Sequence, residues 1–446
     1  MECVPVHTKN LVIASRSPEI KQSAVVGWVL YDLANTIFSM GVISLIFPLW
    51  IKETVGEERA DHVYGVIAGI SMALIFVASP LLGAMTDRAR KRMPFLLVST
   101  LCCVGFTAFL TRTGLYGTAV LFILANVAYQ AGLQFYDALL PEVSTEANRG
   151  KIGGIGVGIG YLGSYIAVGI GLWLQRTFHV VDKPFYFFLV ALLFLLFALP
   201  CFFLVRERGN PSPRPINLAM IRVSTRETIQ TLKAGNQYHG LLRFLVGRVF
   251  YTDAINTVIN YMAIFTANVA LHAGLTKPQS EEKAHWIMLF AITFAVAGGF
   301  FWGFLTDRLG PKRTLNLVLS AWMVIFLLAA LVGLLGLPLP CMYGVAALAG
   351  FALGGVWAAD RPYMLCLTPP HRIGEFYGLY GMVGRFSAIT GPMLWAATTY
   401  LAIQYFHLTP LVGEGISILI LLFLVLVSFI ILQPISDEPR NWTGSA

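Results

Sequence analysis

The stretch that decides the fold is Gly83-Ala84-Met85-Thr86-Asp87-Arg88-Ala89-Arg90-Lys91-Arg92, which returns as Gly303-Phe304-Leu305-Thr306-Asp307-Arg308-Leu309-Gly310-Pro311-Lys312-Arg313. The two copies lie 220 residues apart, and each follows a long apolar run. Self-similarity at this distance indicates two structurally equivalent halves of one membrane protein rather than an array of short repeats.

Further residues repeat in the same order along the chain. Gly27 and Tyr31 recur as Gly247 and Tyr251 at an offset of 220, Asp32, Asn35 and Thr36 recur as Asp253, Asn256 and Thr257 at 221, and Gly150 and Gly154 recur as Gly374 and Gly378 at 224. Chance easily supplies one such match, but hardly all of them in one order. The sequence therefore predicts an internal duplication.

The composition is that of a chain solvated by lipid. Hydrophobic residues make up 57% of it and charged residues 12%, with a mean hydropathy of +0.72, whereas about a quarter of a soluble domain is charged. The net charge of +8 resides in short loops between apolar runs and forms no basic stripe of the kind that binds nucleic acid. We therefore expect the lipid bilayer, and not nucleic acid, as a partner.

The sequence offers little that would build an enzyme or a metal centre. The six cysteines fall mostly within apolar runs without a CxxC pair, and the eight histidines lie in tails, loops or helix ends. HExxH, GxSxG and GxxxxGK[ST] motifs are absent from the sequence, which disfavours a membrane enzyme and a primary pump. We predict a protein that is not an enzyme and uses no metal or other cofactor.

Apolar runs of about 20 residues are long enough to cross the membrane core, and the chain holds twelve. They cover approximately residues 24–51, 62–86, 93–113, 117–140, 153–175, 184–205, 241–271, 284–306, 314–336, 338–360, 375–400 and 410–433. The prediction is an all-α membrane protein with twelve transmembrane helices in two pseudo-symmetric six-helix bundles.

Lysine and arginine counts orient the spans. With the N-terminus inside, the inside segments hold 21 of these residues and the outside loops hold seven, so the positive-inside rule places both termini in the cytoplasm. We predict an N-terminal bundle over 1–205, a cytoplasmic linker over 206–240, a C-terminal bundle over 241–433 and a cytoplasmic tail over 434–446. Short loops without a targeting extension favour a bacterial plasma membrane over a vacuolar or other organellar one.

Twelve spans with GxxxDRxxxKR-type motifs after spans two and eight resemble the major facilitator superfamily over nearly the whole chain. A narrower resemblance is carried by Gly27-Trp28-Val29-Leu30-Tyr31-Asp32-Leu33-Ala34-Asn35, by Leu140-Pro141-Glu142, and by the glycine series from Gly153 to Gly163. It is similar to the branch named after the autophagy-related vacuolar effluxers, which also has bacterial members. Fungal members of that branch are associated with amino-acid export from the vacuole. Gly310-Pro311 replaces a basic residue of the superfamily motif, so the two loops are expected to differ.

The two loop acids are gate candidates. Asp87 and Asp307 lie at helix C-termini, where the helix dipole disfavours an anion, so each needs another helix N-terminus or a basic side chain as a partner. Arg149 is a candidate partner for Asp87 and Arg372 for Asp307. The superfamily resemblance implies that such ties close the cytoplasmic side. We assign Asp87, Arg88, Arg149, Asp307, Arg308 and Arg372 to the gate, while the remaining loop basics are explained by positive-inside anchoring.

Three polar stripes lie at membrane depth. The residues of each stripe share one helical face and must face protein or water, and the superfamily resemblance implies that spans one, four and seven line the cavity. The stripes are Asp32, Asn35 and Thr36 on span one, Asn126, Gln130, Gln134 and Asp137 on span four, and Asp253, Asn256, Thr257 and Asn260 on span seven. From them we predict Asp32, Asn35, Gln130, Gln134, Asp253, Asn256 and Asn260 as substrate-binding residues.

Arg385 completes the predicted substrate site. It lies about eleven residues, or roughly 16 Å, into span eleven, and an arginine at that depth costs ~2.5–3.5 kcal/mol on insertion scales. It could clamp a substrate carboxylate, pair with Asp253 and switch partners during the cycle, or form a permanent structural ion pair. Asp32 and Asp253 are proton-coupling candidates, because a buried carboxyl group can bind a proton near neutral pH; a plain hydrogen-bonded carboxylate is the alternative.

Three further assignments concern residues outside the predicted substrate site. Arg248, near the start of span seven, is expected to extend to the cytoplasm. Asp360 and Arg361 end span ten and are assigned to the gate. The span-five glycines are expected to let helices pack closely.

The resulting function prediction is a monomeric secondary transporter that works by alternating access. Its solute is expected to be small and polar, with an amino acid or related zwitterion as the best guess, exported or exchanged and coupled to protons at the two acids. The alternative is a non-transporting sensor or scaffold that keeps the fold.

Overall fold

In a computed structural model, residues 20–178, 182–210, 213 and 240–436 are described. Within these ranges the chain is helical throughout, apart from short connections. The twelve main helices are α1 Gln22–Val55, α2 Glu57–Arg88, α3 Met93–Ala108, α4 Leu115–Asp137, α5 Arg149–Phe178, α6 Lys183–Leu204, α7 Leu241–His272, α8 Lys277–Leu309, α9 Pro311–Leu335, α10 Pro340–Leu367, α11 Ile373–Tyr400 and α12 Pro410–Leu432.

Smaller elements interrupt or connect these helices. Residues Ser39–Ile46 give α1 a π-helical segment, and Leu401–Tyr405 forms another after α11. A short helix at Leu140–Val143 follows α4, and a 3₁₀ turn at Pro370–Arg372 precedes α11.

The twelve helices coincide with the twelve predicted spans, so the predicted fold class is confirmed. Ten of them are long and apolar enough to cross a membrane; α3 has only 16 residues, and α11 carries buried charged side chains. Several helices extend beyond their apolar runs. The α8 helix begins at Lys277 rather than near residue 284, because Thr276 and Gln279 form a capping box that starts the helix outside the apolar segment.

The helices pack as two equivalent sets. In the first half α1 packs on α5 and α6, α2 on α4, and α3 on α4 and α6; in the second half α7 packs on α11 and α12, α8 on α10, and α9 on α10 and α12. The halves meet mainly where α2 packs on α11 and α5 on α8. The predicted domain boundaries remain a prediction, since most of the linker (211–212 and 214–239) and residues 437–446 of the tail lie outside the described residues.

Glycines set the closeness of the contacts between the halves. A Cβ atom on Gly154 of α5 would lie 2.6 Å from the Gly303 Cα atom of α8, and one on Gly374 of α11 would lie 2.5 Å from the Gly83 carbonyl oxygen of α2. Gly160, on another face of α5, instead packs against Asp32 of α1. The close-packing interpretation of the span-five glycines is therefore confirmed, with the two faces serving different neighbours.

These contacts concentrate at one end of the bundle, which we call the motif face: the ends of α2 and α8 at Asp87 and Asp307. At the opposite face, α1 and α2 of the first half and α8 of the second flank a cleft of about 250 Å³ that includes Tyr64 and His285. The protein is thus closed at the motif face.

Candidate solute site and gate

At the motif face, Asp87 joins α2 to the start of α11. Its two carboxylate oxygens accept hydrogen bonds from the backbone N–H groups of Gly374 and Glu375, each 2.7 Å long, and Arg92 donates a third at 2.9 Å. The first N–H groups of a helix have no partner within the helix and favour an anion. The acid that α2 holds unfavourably at its C-terminus therefore sits at the N-terminus of a helix from the other half.

Asp307 repeats this arrangement between α8 and the start of α5. It accepts hydrogen bonds from the backbone N–H groups of Gly150 at 2.6 Å and Lys151 at 2.9 Å. The prediction that each acid needs another helix N-terminus or a basic side chain agrees with this geometry, but the candidate basic partners were wrong. Arg149 begins α5, and the start of α5 binds Asp307 rather than Asp87. The reason is that each acid bonds to a helix of the opposite half.

Arg372 likewise stands at the start of the helix that holds Asp87, where it pairs with Glu375 at 2.6 Å. The guanidinium group of Arg308 lies over the Phe304 ring, 4.3 Å from its centre, and Arg88 ends α2. The roles of Arg88, Arg149, Arg308 and Arg372 in gating remain predictions.

The two loops differ where the sequence departs from the superfamily motif. Asp87 has an ion pair with Arg92 of its own loop, whereas Asp307, within the described part of the chain, has no basic side chain within 4.0 Å. Gly310 turns the chain between α8 and α9 with φ +87°, a conformation that glycine adopts readily.

Residues 205–210, which follow α6, support the loop between α2 and α3. Glu207 accepts hydrogen bonds from the backbone N–H groups of Arg92 (2.7 Å) and Met93 (2.9 Å) at the start of α3. Asn210 donates from its amide side chain to the Asp87 carbonyl oxygen at 2.8 Å, and Arg208 pairs with Glu142 at 3.0 Å. Burial raises the pKa of Glu207, although its backbone hydrogen bonds act in the opposite direction.

In the middle of the bundle, Arg385 of α11 reaches into the first half. Its guanidinium group donates to the Ser79 hydroxyl oxygen of α2 at 2.9 Å and to the Gln130 carbonyl oxygen of α4 at 2.6 Å. The Ser79 hydroxyl donates in turn to the Gln134 side chain, whose Nε2 returns a bond to the Ser79 carbonyl oxygen at 2.9 Å. The structure thus brings together three of the predicted substrate residues, Arg385, Gln130 and Gln134, and adds Ser79.

Asp253 of α7 lies apart from Arg385. It is 7% exposed and accepts a hydrogen bond from the Thr390 hydroxyl of α11 at 2.9 Å. Among the described residues no carboxylate lies within 4.0 Å of Arg385, so the permanent structural ion pair is wrong. Pairing with Asp253 and a switch of partners during the cycle stays a prediction. Asn256, half-buried, and Asn260, exposed, continue the α7 stripe.

Asp32 of α1 pairs with Arg361, which was assigned to the gate from the sequence. Arg361 of α10 lies 3.5 Å from the Asp32 carboxylate and 3.1 Å from that of Asp137, the last residue of α4. Asn35, one turn along α1, is 3% exposed, and neither its amide nitrogen nor its amide oxygen has a hydrogen-bond partner. The prediction that Arg361 ends span ten was wrong, because α10 continues to Leu367 and Arg361 lies inside the helix; its assignment to the gate stays a prediction.

Arg248 and Asp360 form a second buried pair inside the C-terminal half. Their side chains lie 3.1 Å apart at 4% and 0% exposure, and Tyr380 donates its hydroxyl to Asp360 at 2.9 Å while its ring lies under the Arg248 guanidinium at 3.4 Å. The expectations that Arg248 extends to the cytoplasm and that Asp360 belongs to the gate were wrong, because each side chain finds its counter-charge within the bundle.

The sequence signals for the missed residues were present but incomplete. Asp137 stood in the span-four stripe, and Arg361 stood just beyond the predicted end of span ten. Its position became ambiguous because Pro362 follows it, although the apolar run resumes to Leu367. Within the described residues there is no group of three or more His, Cys, Asp or Glu side chains arranged to hold a metal ion.

Solved transporters share this architecture. The human organic anion transporter MFSD10 superposes with a TM-score of 0.67 over 92% of this chain and 98% of that chain at 17% identity. The proton:xylose symporter XylE gives a TM-score of 0.65 over 92% and 94% at 14% identity. The fold is thus that of these solved transporters. Together with the sequence relatives described next, it defines an integral, multi-pass membrane transporter of the major facilitator kind.

Sequence relatives narrow this class to a family. The model of the family described as "Vacuole effluxer Atg22 like" matches residues 142–436, and the chain belongs to that family. An uncharacterized MFS-type transporter, YxiO, of Bacillus subtilis is 25% identical over 92% of this chain and 94% of its own length. Autophagy-related protein 22 of Eremothecium gossypii is 23% identical over 88% of each chain. The predicted family resemblance is confirmed.

Proposed function

We propose that the protein is a secondary active transporter that moves a small zwitterion, an amino acid or a close relative, by alternating access around Arg385. Export or exchange, coupled to protons at Asp32 and Asp253, is the proposed mode. The observation that carries the proposal is a buried guanidinium group in the middle of the bundle that has no carboxylate within 4.0 Å in the described part of the chain.

Arg385 has the surroundings of an anion receptor. It is 4% exposed, and its guanidinium group donates hydrogen bonds to two uncharged oxygens. Its Nε atom is buried and has no hydrogen-bond partner among the described residues. A buried charge is stabilised by pairing, and a guanidinium group offers a planar set of donors that matches a carboxylate. A solute carboxylate would supply the missing counter-charge.

We assign the ammonium group of the same solute to Asp253. Its carboxylate accepts a hydrogen bond from Thr390, on the same helix as Arg385. Asn35, with its unpartnered amide, would contribute further polar contacts.

The relatives agree with a transport role without fixing the solute. The Bacillus relative is named as a transporter, the family is named for efflux from vacuoles, and the structural neighbour MFSD10 is an organic anion transporter. We further propose that the motif face is cytoplasmic, that the protein works as a monomer, and that its membrane is a bacterial plasma membrane. A sensor or scaffold that retains the fold is the competing function.

The test is efflux from proteoliposomes loaded with a mixed amino-acid pool and analysed by mass spectrometry, with and without an imposed pH gradient. We expect selective loss that responds to the gradient. Arg385→Ala should abolish that loss in protein that remains folded and monodisperse. Arg243→Gln, which removes a charge from an exposed arginine of α7, is the matched control and should transport normally.

Three results would contradict the proposal. No loss of any amino acid under either condition would remove the amino-acid assignment while leaving the fold untouched. Unchanged flux in Arg385→Ala would remove Arg385 from the solute site. Protein that binds a solute but never releases it across the membrane would favour the sensor alternative.

A further inference from the structure

Arg361 is the point at which charged side chains of the two halves meet inside the bundle. It belongs to α10, whereas its two partners, Asp32 and Asp137, belong to α1 and α4 of the first half. All three side chains are about one-tenth exposed. The Arg361–Asp137 contact of 3.1 Å is an ion pair whose Asp137 Oδ1 atom lacks an aligned hydrogen bond, so the bridge is held by charge more than by geometry.

The cluster lies between the proposed solute site and the motif face. Arg361 stands six residues before the end of α10, about 9 Å from that end, whereas Arg385 stands twelve residues, or about 18 Å, from the start of α11. Both helix ends are at the motif face. Opening this face separates α10 from α1 and α4, and it therefore breaks the Arg361 bridge.

Two carboxylates share one guanidinium group in a largely buried place. Other charged and titratable side chains face the cluster: Tyr129, Tyr136, Tyr161, Arg248, Asp360, Tyr377, Tyr380 and Arg385. Arg248 is already paired with Asp360, and tyrosine hydroxyls ordinarily titrate near pH ~10. Neutralising one of the two carboxylates with a proton would therefore weaken the bridge directly.

We propose that the Asp32–Arg361–Asp137 cluster is the proton site that controls separation of the halves at the motif face, with Arg361 as the positioning residue. A proton on either acid removes one of the two attractions that hold Arg361 across the halves. The inference deepens the proposed transport function by naming Asp137 and Arg361 as coupling residues beside Asp32.

The test needs no solute, because it follows the gate in the purified full-length protein. The backbone amides of Gly374 and Glu375 are bonded to Asp87 only while the motif face is closed. Hydrogen exchange of this segment, corrected for intrinsic rates, is measured at about pH 8 and about pH 6. We expect the protection of this segment in the wild type to be at least tenfold lower at the lower pH than at the higher one.

Variants separate a proton site from a structural one. Asp137→Asn and Arg361→Gln should show low protection at both pH values, with the pH dependence lost. Arg361→Lys keeps the charge and should retain the dependence, and Glu281→Gln, which changes an exposed acid of α8, should behave as the wild type.

Equal protection of the wild type at both pH values, or an unaltered pH dependence in Asp137→Asn, would overturn the proposal. If Asp137→Asn does not fold, Arg361→Lys still decides, because a purely structural bridge would not confer pH dependence on it. A pH-controlled gate in protein that moves no amino acid would keep the proton site and remove only the solute assignment.

Discussion

Replacing one glycine at the contact between the halves should open the motif face, while replacing its neighbour should not. A Cβ atom on Gly154 would lie 2.6 Å from the Gly303 Cα atom and 3.1 Å from its nitrogen, where ordinary contacts measure 3.4–4 Å. These are backbone atoms, which cannot rotate away. On Gly153 the added Cβ atom meets nothing within 4 Å, so Gly153→Ala is a matched control on the same helix.

The expected loss of the closed state follows from the overlap of the added Cβ atom with Gly303. Relieving it requires α5 and α8 to move apart by roughly 1 Å at this point, and overpacking of this kind costs about 1–3 kcal/mol. The penalty applies only while the halves touch, so the closed state loses roughly five- to a hundredfold in population relative to the open one. Both variants gain similarly from alanine's helix propensity, about 0.5–1 kcal/mol, which therefore cancels in the comparison.

Hydrogen exchange of the α5 N-terminus provides the assay. The amides of Gly150 and Lys151 are bonded to Asp307 across the interface, so their exchange reports the closed state. Gly154→Ala should accelerate it roughly five- to a hundredfold over Gly153→Ala. Equal exchange in the two variants, with both proteins folded, would show that the glycine contact does not determine how closely the halves approach.

Three further predictions concern charge. Asp307→Asn should open the motif face more readily than Asp87→Asn, because Asp87→Asn leaves in place the hydrogen bonds of Glu207 and Asn210 to the loop between α2 and α3. Cysteine cross-linking of the α2–α11 and α5–α8 interfaces measures this, and the reverse order would contradict it. Arg248→Gln should lower the unfolding free energy by about 3–5 kcal/mol, because it leaves Asp360 buried and unpaired; a thermal-unfolding midpoint equal to that of the wild type would argue against a tight pair. Since burial raises the pKa of Glu207 above its ordinary value of 4.5, the folded state binds the proton more readily than the unfolded one, and stability falls as pH rises through the window just above 4.5; Glu207→Gln should flatten that part of the thermal-stability profile, and an unchanged slope would refute the linkage.

The fold could be predicted from the sequence because its signals are long and repeated. Twelve apolar runs and a duplicated loop motif define helices, halves and the gate acids without any knowledge of distances. The same pattern shows that Asp87 and Asp307 need partners from other helices, since a carboxylate is unfavourable at a helix C-terminus. These inferences depend on periodicity and helix polarity, which are local properties.

Partner identity could not be predicted in the same way, because it depends on how the halves dock. Arg149 is near Asp87 along the chain but belongs to the other interface, and Arg361 is 329 residues from Asp32. The side chain of Arg248 was also predicted to reach the cytoplasm, because a charge near a helix end is usually solvated. A hydropathy pattern carries no information on a counter-charge such as Asp360 on another helix.

The duplication also explains why the halves meet at an ion cluster. Arg361 lies 224 residues after Asp137, the same offset that relates Gly150 to Gly374, so the bridge joins positions that this register makes equivalent. Equivalent positions in a two-fold arrangement approach each other near its axis, where identical charges would repel. The opposite charges of Arg361 and Asp137 instead give an attraction that favours closure of the motif face. A contact held chiefly by charge can be released by neutralising one side, which a hydrophobic contact at the same place would not permit.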